Sequence, residues 1–143
     1  MLMHCCDDVR PIIATASALA MLGLAGCGWQ HPATFGVEGV VRSSTGPVIE
    51  RASVTFFSVG GERSYRAEGI VGAGGRFRLS TFRPGDGAVA GQHRVVIVPL
   101  PTADGPMQAA RLIPPKYENP ETSGLQVVID PRPVNDVTLV IEP

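Results

Sequence analysis

Breaks in the backbone constrain this chain more than any other feature. Thirteen prolines and seventeen glycines fall without a fixed period. A collagen-type triple helix needs glycine at every third place, and a long α-helix cannot pass through proline, so short elements joined by turns are what remains. Between the breaks lie segments that alternate polar with apolar residues or are rich in β-branched and aromatic ones. The default is an all-β fold.

Seven segments carry this signal: residues 35–44 (FGVEGVVRSS), 52–59 (ASVTFFSV), 63–71 (RSYRAEGIV), 76–82 (RFRLSTF), 93–99 (HRVVIVP), 125–130 (LQVVID) and 136–142 (DVTLVIE). In the second, Ala52, Val54 and Phe56 share one face. In the third, Ser64, Arg66 and Glu68 lie opposite Tyr65 and Ala67. In the fourth, Phe77 and Leu79 point inward while Arg76, Arg78 and Ser80 point outward. Seven short strands in about a hundred residues predict a seven-stranded antiparallel Greek-key β-sandwich. Gly46-Pro47 sets a turn that delivers Val48 and Ala52 to the core. Arg63, Arg66, Arg76 and Arg78 line the outer face of the third and fourth strands, as a solvated, edge-protecting surface or as a ligand-facing patch. The widest gap, 100–124, contains Pro101, Pro106, Pro114, Pro115 and Pro120, which forbid a long helix. It is expected to be an ordered loop attached through Leu112, Ile113, Tyr117 and Leu125, with room for one helical turn over 103–112.

The first 27 residues differ in kind. The apolar run Ile12–Gly26 is shorter than the ~20 residues of a membrane span and has the length of a signal-peptide core. It ends in Leu24-Ala25-Gly26-Cys27, which resembles the bacterial lipobox, where the cysteine receives a diacylglycerol and becomes the new N-terminus. The preceding "MLMHCCDDVR" is less basic than such regions usually are, and a start further downstream explains this. The alternative is a buried helix with a structural cysteine, but the run has no charged residue and only Thr15 and Ser17 to set against its apolar side chains. Residues 1–27 are thus expected to be a lipoprotein signal peptide, 28–34 a tether, with Trp29 at the headgroups, and 35–143 the folded domain. Acyl chains such as palmitate hold a protein on a bilayer without a transmembrane helix. By resemblance to lipoprotein sorting, Gly28 after the cysteine favours the outer membrane, facing the periplasm. Cys5 and Cys6 leave with the signal, so the mature chain keeps no thiol for a disulfide or a zinc site. Arg10, Asp7 and Asp8 leave too, which turns twelve basic and thirteen acidic residues into eleven of each. A neutral chain lacks the basic footprint that nucleic acid requires.

Four pieces in order, VEGVV (37–41), GPVIERASVTF (46–56), GAGGRFRL (72–79) and GQHRVVI (91–97), resemble the carboxypeptidase regulatory-like family. That likeness implies a transthyretin-like (prealbumin-like) sandwich. His93 stands where the family usually has tyrosine. The segment IPPKYENPETSGLQVVI (113–129) resembles a stretch of small predicted lipoproteins of planctomycete-type bacteria. Within this frame Gly39 leaves space where the strand is crossed closely, and Phe77 plugs the gap between sheets.

Candidate chemistry is sparse. Asp86, between glycines in PGDG (84–87), suits a loop fastener that accepts backbone N–H groups, and His93 suits a neutral, hydrogen-bonded place in a buried strand. A proton-transfer or ligand role for the pair is the other reading. Ser123, His93 and Asp86 could be nominated as a triad, yet no G-x-S-x-G elbow exposes a nucleophile. Intradiol dioxygenases, which share a related sandwich, hold iron through two tyrosines and two histidines. Here only Tyr65, Tyr117, His31 and His93 remain, without a closely spaced histidine pair. Hydroxyisourate hydrolases end in a Tyr-Arg-Gly-Ser type motif, whereas this chain ends in VIEP. Neither a cofactor nor a metal is expected. The long loop with Lys116, Tyr117, Glu118, Asn119, Thr122 and Ser123 is the best candidate for binding, since long loops on rigid sandwiches often carry recognition. Tyr117 as a buried anchor is the competing reading.

The sequence therefore predicts a noncatalytic cell-envelope protein, tied to the membrane through acylated Cys27, whose sandwich serves as an interaction or structural module for an envelope protein or glycan. A small-ligand or carbohydrate-binding module is the alternative, though one Trp and two Tyr make a poor stacking platform for sugars. A hydrolase using His93 and Asp86 comes after that.

Overall fold

A computed structural model describes residues 31–101 and 112–143. The expected signal peptide, Cys27, residues 28–30 of the tether and most of the helical turn expected over 103–112 lie outside the described residues.

Among the described residues the body is an all-β, sandwich-like fold with eight strands in two sheets: β1 (Thr34–Ser43), β2 (Ala52–Ser58), β3 (Arg66–Val71), β4 (Arg76–Arg78), β5 (Ala88–Val89), β6 (Gly91–Pro99), β7 (Gln126–Ile129) and β8 (Val134–Ile141). One sheet runs β3-β2-β6-β7 and is antiparallel throughout. In the other, β1 pairs antiparallel with β4 and β5 but parallel with β8, from Gly36↔Val134 to Ser43↔Ile141. A purely antiparallel, seven-stranded sandwich is thus corrected to eight strands with one mixed sheet. The eighth is β5, two residues long, which pairs with the first two residues of β1.

Alternation sets the core as expected. Ala52, Val54, Phe56, Leu79 and Ile97 are fully buried, and Phe77 of one sheet meets Phe56 of the other with ring centroids 6.2 Å apart. The Phe77 ring occupies the place that a β-carbon on Gly39 would take, beside the Val137 carbonyl. Any larger residue at 39 would drive the sheets apart, because close-packed interiors have no spare volume.

Three expectations need correction. Val48 is exposed and Ile49 takes the core position instead, because Gly46 (φ 125°) and Arg51 (φ 56°) rotate the connection between β1 and β2. The third strand begins at Arg66 rather than 63. The fourth stops at Arg78, and beyond it Ser80 bridges to Glu68 of β3. Arg66, Arg76 and Arg78 are exposed as expected: Arg66 pairs with Glu68, and Arg78 lies 3.8 Å from Glu38. At the front of the body, Thr34 already belongs to β1 and the His31 ring stacks on Phe82 at 4.3 Å.

Candidate functional site

β1 gives the molecule two ends. The proximal end is where His31 leads into β1. The distal end is where β1 and β8 finish together, at Ser43 and Ile141. Ten residues at about 3.3 Å each put these ends roughly 30 Å apart.

The Lys116 loop belongs to the distal end. After a proline at 114, a 3-10 turn over Pro115–Glu118 buries Tyr117, whose hydroxyl oxygen accepts the Glu142 N–H at 2.9 Å. The rest of the loop closes on itself. Asn119 Oδ1 accepts the Glu121 N–H (2.8 Å), and Thr122 Oγ1 donates to the Lys116 carbonyl (2.7 Å). Ser123, buried, accepts the Leu125 N–H through Oγ at 3.4 Å. Glu121 pairs with Arg94 of β6. Lys116 Nζ lies 4.8 Å from the centre of the Tyr117 ring, a cation–π distance. Glu118 is exposed. Tyr117 is therefore an anchor, and the loop is a fastener between β6 and the end of β8.

Asp86 lies at the proximal end, since the Ala88–Val89 strand that follows it pairs with Thr34 and Phe35. Its carboxylate accepts three backbone N–H groups: Thr81 at 2.7 Å, and Phe82 and Arg83 at 3.0 Å each. Charge-assisted bonds of this kind are the strong ones, and here they close the β4–β5 loop. Gly87 permits the closure, with φ 87° and no space for a β-carbon against the Phe35 carbonyl.

His93 is the third residue of β6, which begins at Gly91 rather than at His93 as expected, and it lies opposite Ser58 and Val127. It is buried, its ring lies 6.0 Å from that of Phe56, and Nδ1 contacts the Gly91 carbonyl at 3.0 Å. Burial lowers its pKa below the ordinary 6.5, with the Gly91 carbonyl opposing in part. The ring is neutral at pH 7, and Nδ1 carries the proton that Gly91 accepts. The nominated triad is not assembled: Asp86 is turned onto its own loop, Ser123 onto Leu125, and His93 onto Gly91.

Sequence reasoning missed two features. Asn135, buried, fixes the β7–β8 turn: Oδ1 accepts the Asp130 N–H (3.0 Å) and the Arg132 Nε–H (3.2 Å), while Nδ2 donates to Asp130 O (3.1 Å) and Gly36 O (3.4 Å). The second is an aromatic group at the proximal end. Phe82 stacks on His31 and meets Tyr65 edge-on at 6.0 Å, although the three residues come from separate loops. Beside it lies an open recess of about 400 Å3 lined by Pro32, Phe35, Val59, Tyr65 and Val89. A larger open groove, about 590 Å3, crosses the outer face of the mixed sheet, where Glu38 and Asp136 face Arg76 and Arg78. No family model, curated protein or solved structure matches the chain.

Proposed function

We propose that the chain is a noncatalytic, lipid-anchored envelope protein. Its sandwich, of transthyretin-like, carboxypeptidase regulatory-like type, acts as an interaction or structural module held on the bilayer through acylated Cys27. The outer membrane, facing the periplasm, is the location that Gly28 favours. One observation carries the noncatalytic part of this reading: Asp86, His93 and Ser123 make no hydrogen bond to one another, and the Asp86 carboxylate is spent on three backbone N–H groups. A carboxylate so committed has to break structural bonds before it can orient His93 or take a substrate proton. The anchor rests on Leu24-Ala25-Gly26-Cys27 after an apolar run of signal-peptide length.

The second reading, a small-ligand or glycan-binding module, draws on the groove over the mixed sheet, where two arginines and two carboxylates converge around Val40 and Ile70. It gains if a soluble glycan or anion raises the unfolding temperature and if Arg76→Ala with Arg78→Ala removes the rise.

Metabolic labelling with a fatty-acid analogue tests the anchor. The wild-type protein is expected to take up label and Cys27→Ser to take up none. Equal incorporation would remove the lipobox from the account.

A further inference from the structure

Exposed apolar side chains stand at both ends, Val48 and Val140 among them at the distal one, but among the described residues the exposed aromatic ring, Phe82, belongs to the proximal end. Phe82 is 37% exposed even with the ring of His31 stacked on it, and Val59 is 40% exposed. Val128 and Val134, 64% and 49% exposed, flank the same end, because Val128 pairs with Gln92 and Val134 with Gly36. Soluble surfaces tolerate scattered apolar residues, but a group that shares one end with an open recess is the kind that marks an interaction.

Chain length says what that end meets. Cys27 and His31 are four residues apart, and an extended chain covers at most about 3.6 Å per residue, so whatever path residues 28–30 follow, Cys27 lies within about 14 Å of His31. A headgroup layer is itself roughly 5–7 Å deep on each side of the hydrocarbon. A lipid anchor at Cys27 therefore allows no more than a thin gap between this end and the bilayer. Tyr65 suits the position, since an aromatic ring with one polar edge favours the headgroup level.

Charge does not oppose it. The two loops that frame the aromatic group carry exposed Arg63 and Arg83. Of their acidic residues, Glu62 is exposed, whereas the Asp86 carboxylate is turned onto three backbone N–H groups. In the neighbouring β7–β8 turn Arg132 lies 3.7 Å from Asp130. These three arginines and three carboxylates sum to zero, so no net negative charge at this end keeps anionic headgroups away.

We propose that the proximal end, through His31, Tyr65, Phe82 and Val59, docks in the headgroup layer of the membrane that holds Cys27. The sandwich then stands on its end with the Tyr117 loop pointing away. This rests on the lipid-anchor reading, and the test separates the two. The mature chain has no thiol besides Cys27, so single cysteines can be added at Phe82→Cys and Glu62→Cys at the proximal end and at Ser44→Cys at the distal end. Each is labelled with an environment-sensitive fluorophore, and the full-length protein, its acyl mass verified, is placed in vesicles of phosphatidylethanolamine and phosphatidylglycerol with headgroup spin labels. Labels at 62 and 82 are expected to shift to the blue and to be quenched several-fold more than the label at 44. With the acyl mass present, equal and water-like emission at all three positions overturns the docking and leaves the anchor standing. Shielding at 62 and 82 that depends on protein concentration and not on spin-labelled lipid assigns the surface to a second copy, which also overturns it. Absence of acyl mass overturns the anchor and the docking together.

Discussion

At the distal end, Tyr117 buries its ring and hands its hydroxyl to the Glu142 N–H, and the surrounding loop satisfies its own polar groups. At the proximal end, Phe82 and Val59 leave more than a third of their surface in solvent. Both ends are fastened, the proximal one by Asp86 and Asn135, yet only the distal one covers its large aromatic ring. Apolar surface buried in the fold stabilises it by about 25 cal/mol per Å2, whereas surface left in water contributes little to folding. The distal aromatic is thus needed for stability, and the proximal aromatics are available for something outside the domain.

This contrast can be broken by mutation. Tyr117→Ala should cost about 3–5 kcal/mol, the usual range for removing a buried aromatic side chain, read as a lower urea midpoint with an unchanged slope. Little or no loss would mean that the distal loop is not a fastener. Asp86→Ala should cost about 2 kcal/mol, because three loop N–H groups lose a charged acceptor, and Asp86→Asn should recover part of it.

The pH dependence sharpens the same picture. His93 is neutral in the fold with its pKa lowered, while the unfolded chain protonates it near 6.5. Its contribution is complete above that value and is lost as pH falls below it, with a slope of at most about 1.4 kcal/mol per pH unit. His93→Phe should flatten this part of the stability curve in chemical denaturation between pH 7 and pH 5. Smallest of all, Phe82→Ser should change stability by no more than about 0.5 kcal/mol, as exposed positions do, while weakening contact with vesicles. A large loss of stability there would erase the difference between the ends.

How much of this could be read from the sequence depends on how local each cause is. Alternation in 52–58 and 76–79 placed Phe56, Phe77 and Leu79 in the core, because side chains on a strand alternate whatever their partner. The glycines around Asp86 identified its loop, since turn chemistry acts over a few residues, whereas Tyr117 could be read either as an anchor or as part of a binding loop. The parallel pairing of β1 with β8 was not visible: it joins residues about a hundred positions apart, and nothing in either strand specifies the direction of its neighbour. Ile49 displaced Val48 because a positive φ at Arg51 shifts which residue turns inward, and a non-glycine residue gives no warning of that. The His31–Tyr65–Phe82 group was hidden for the same reason, being assembled from three loops that only the closed sandwich brings together.

The anchor at Cys27 is the claim on which the membrane reading depends, and intact-mass spectrometry of protein extracted from envelopes addresses it directly. The account predicts a chain that begins at Cys27 and carries the added mass of a diacylglycerol thioether. A chain that begins elsewhere, or one that begins at Cys27 with a free thiol, would contradict it.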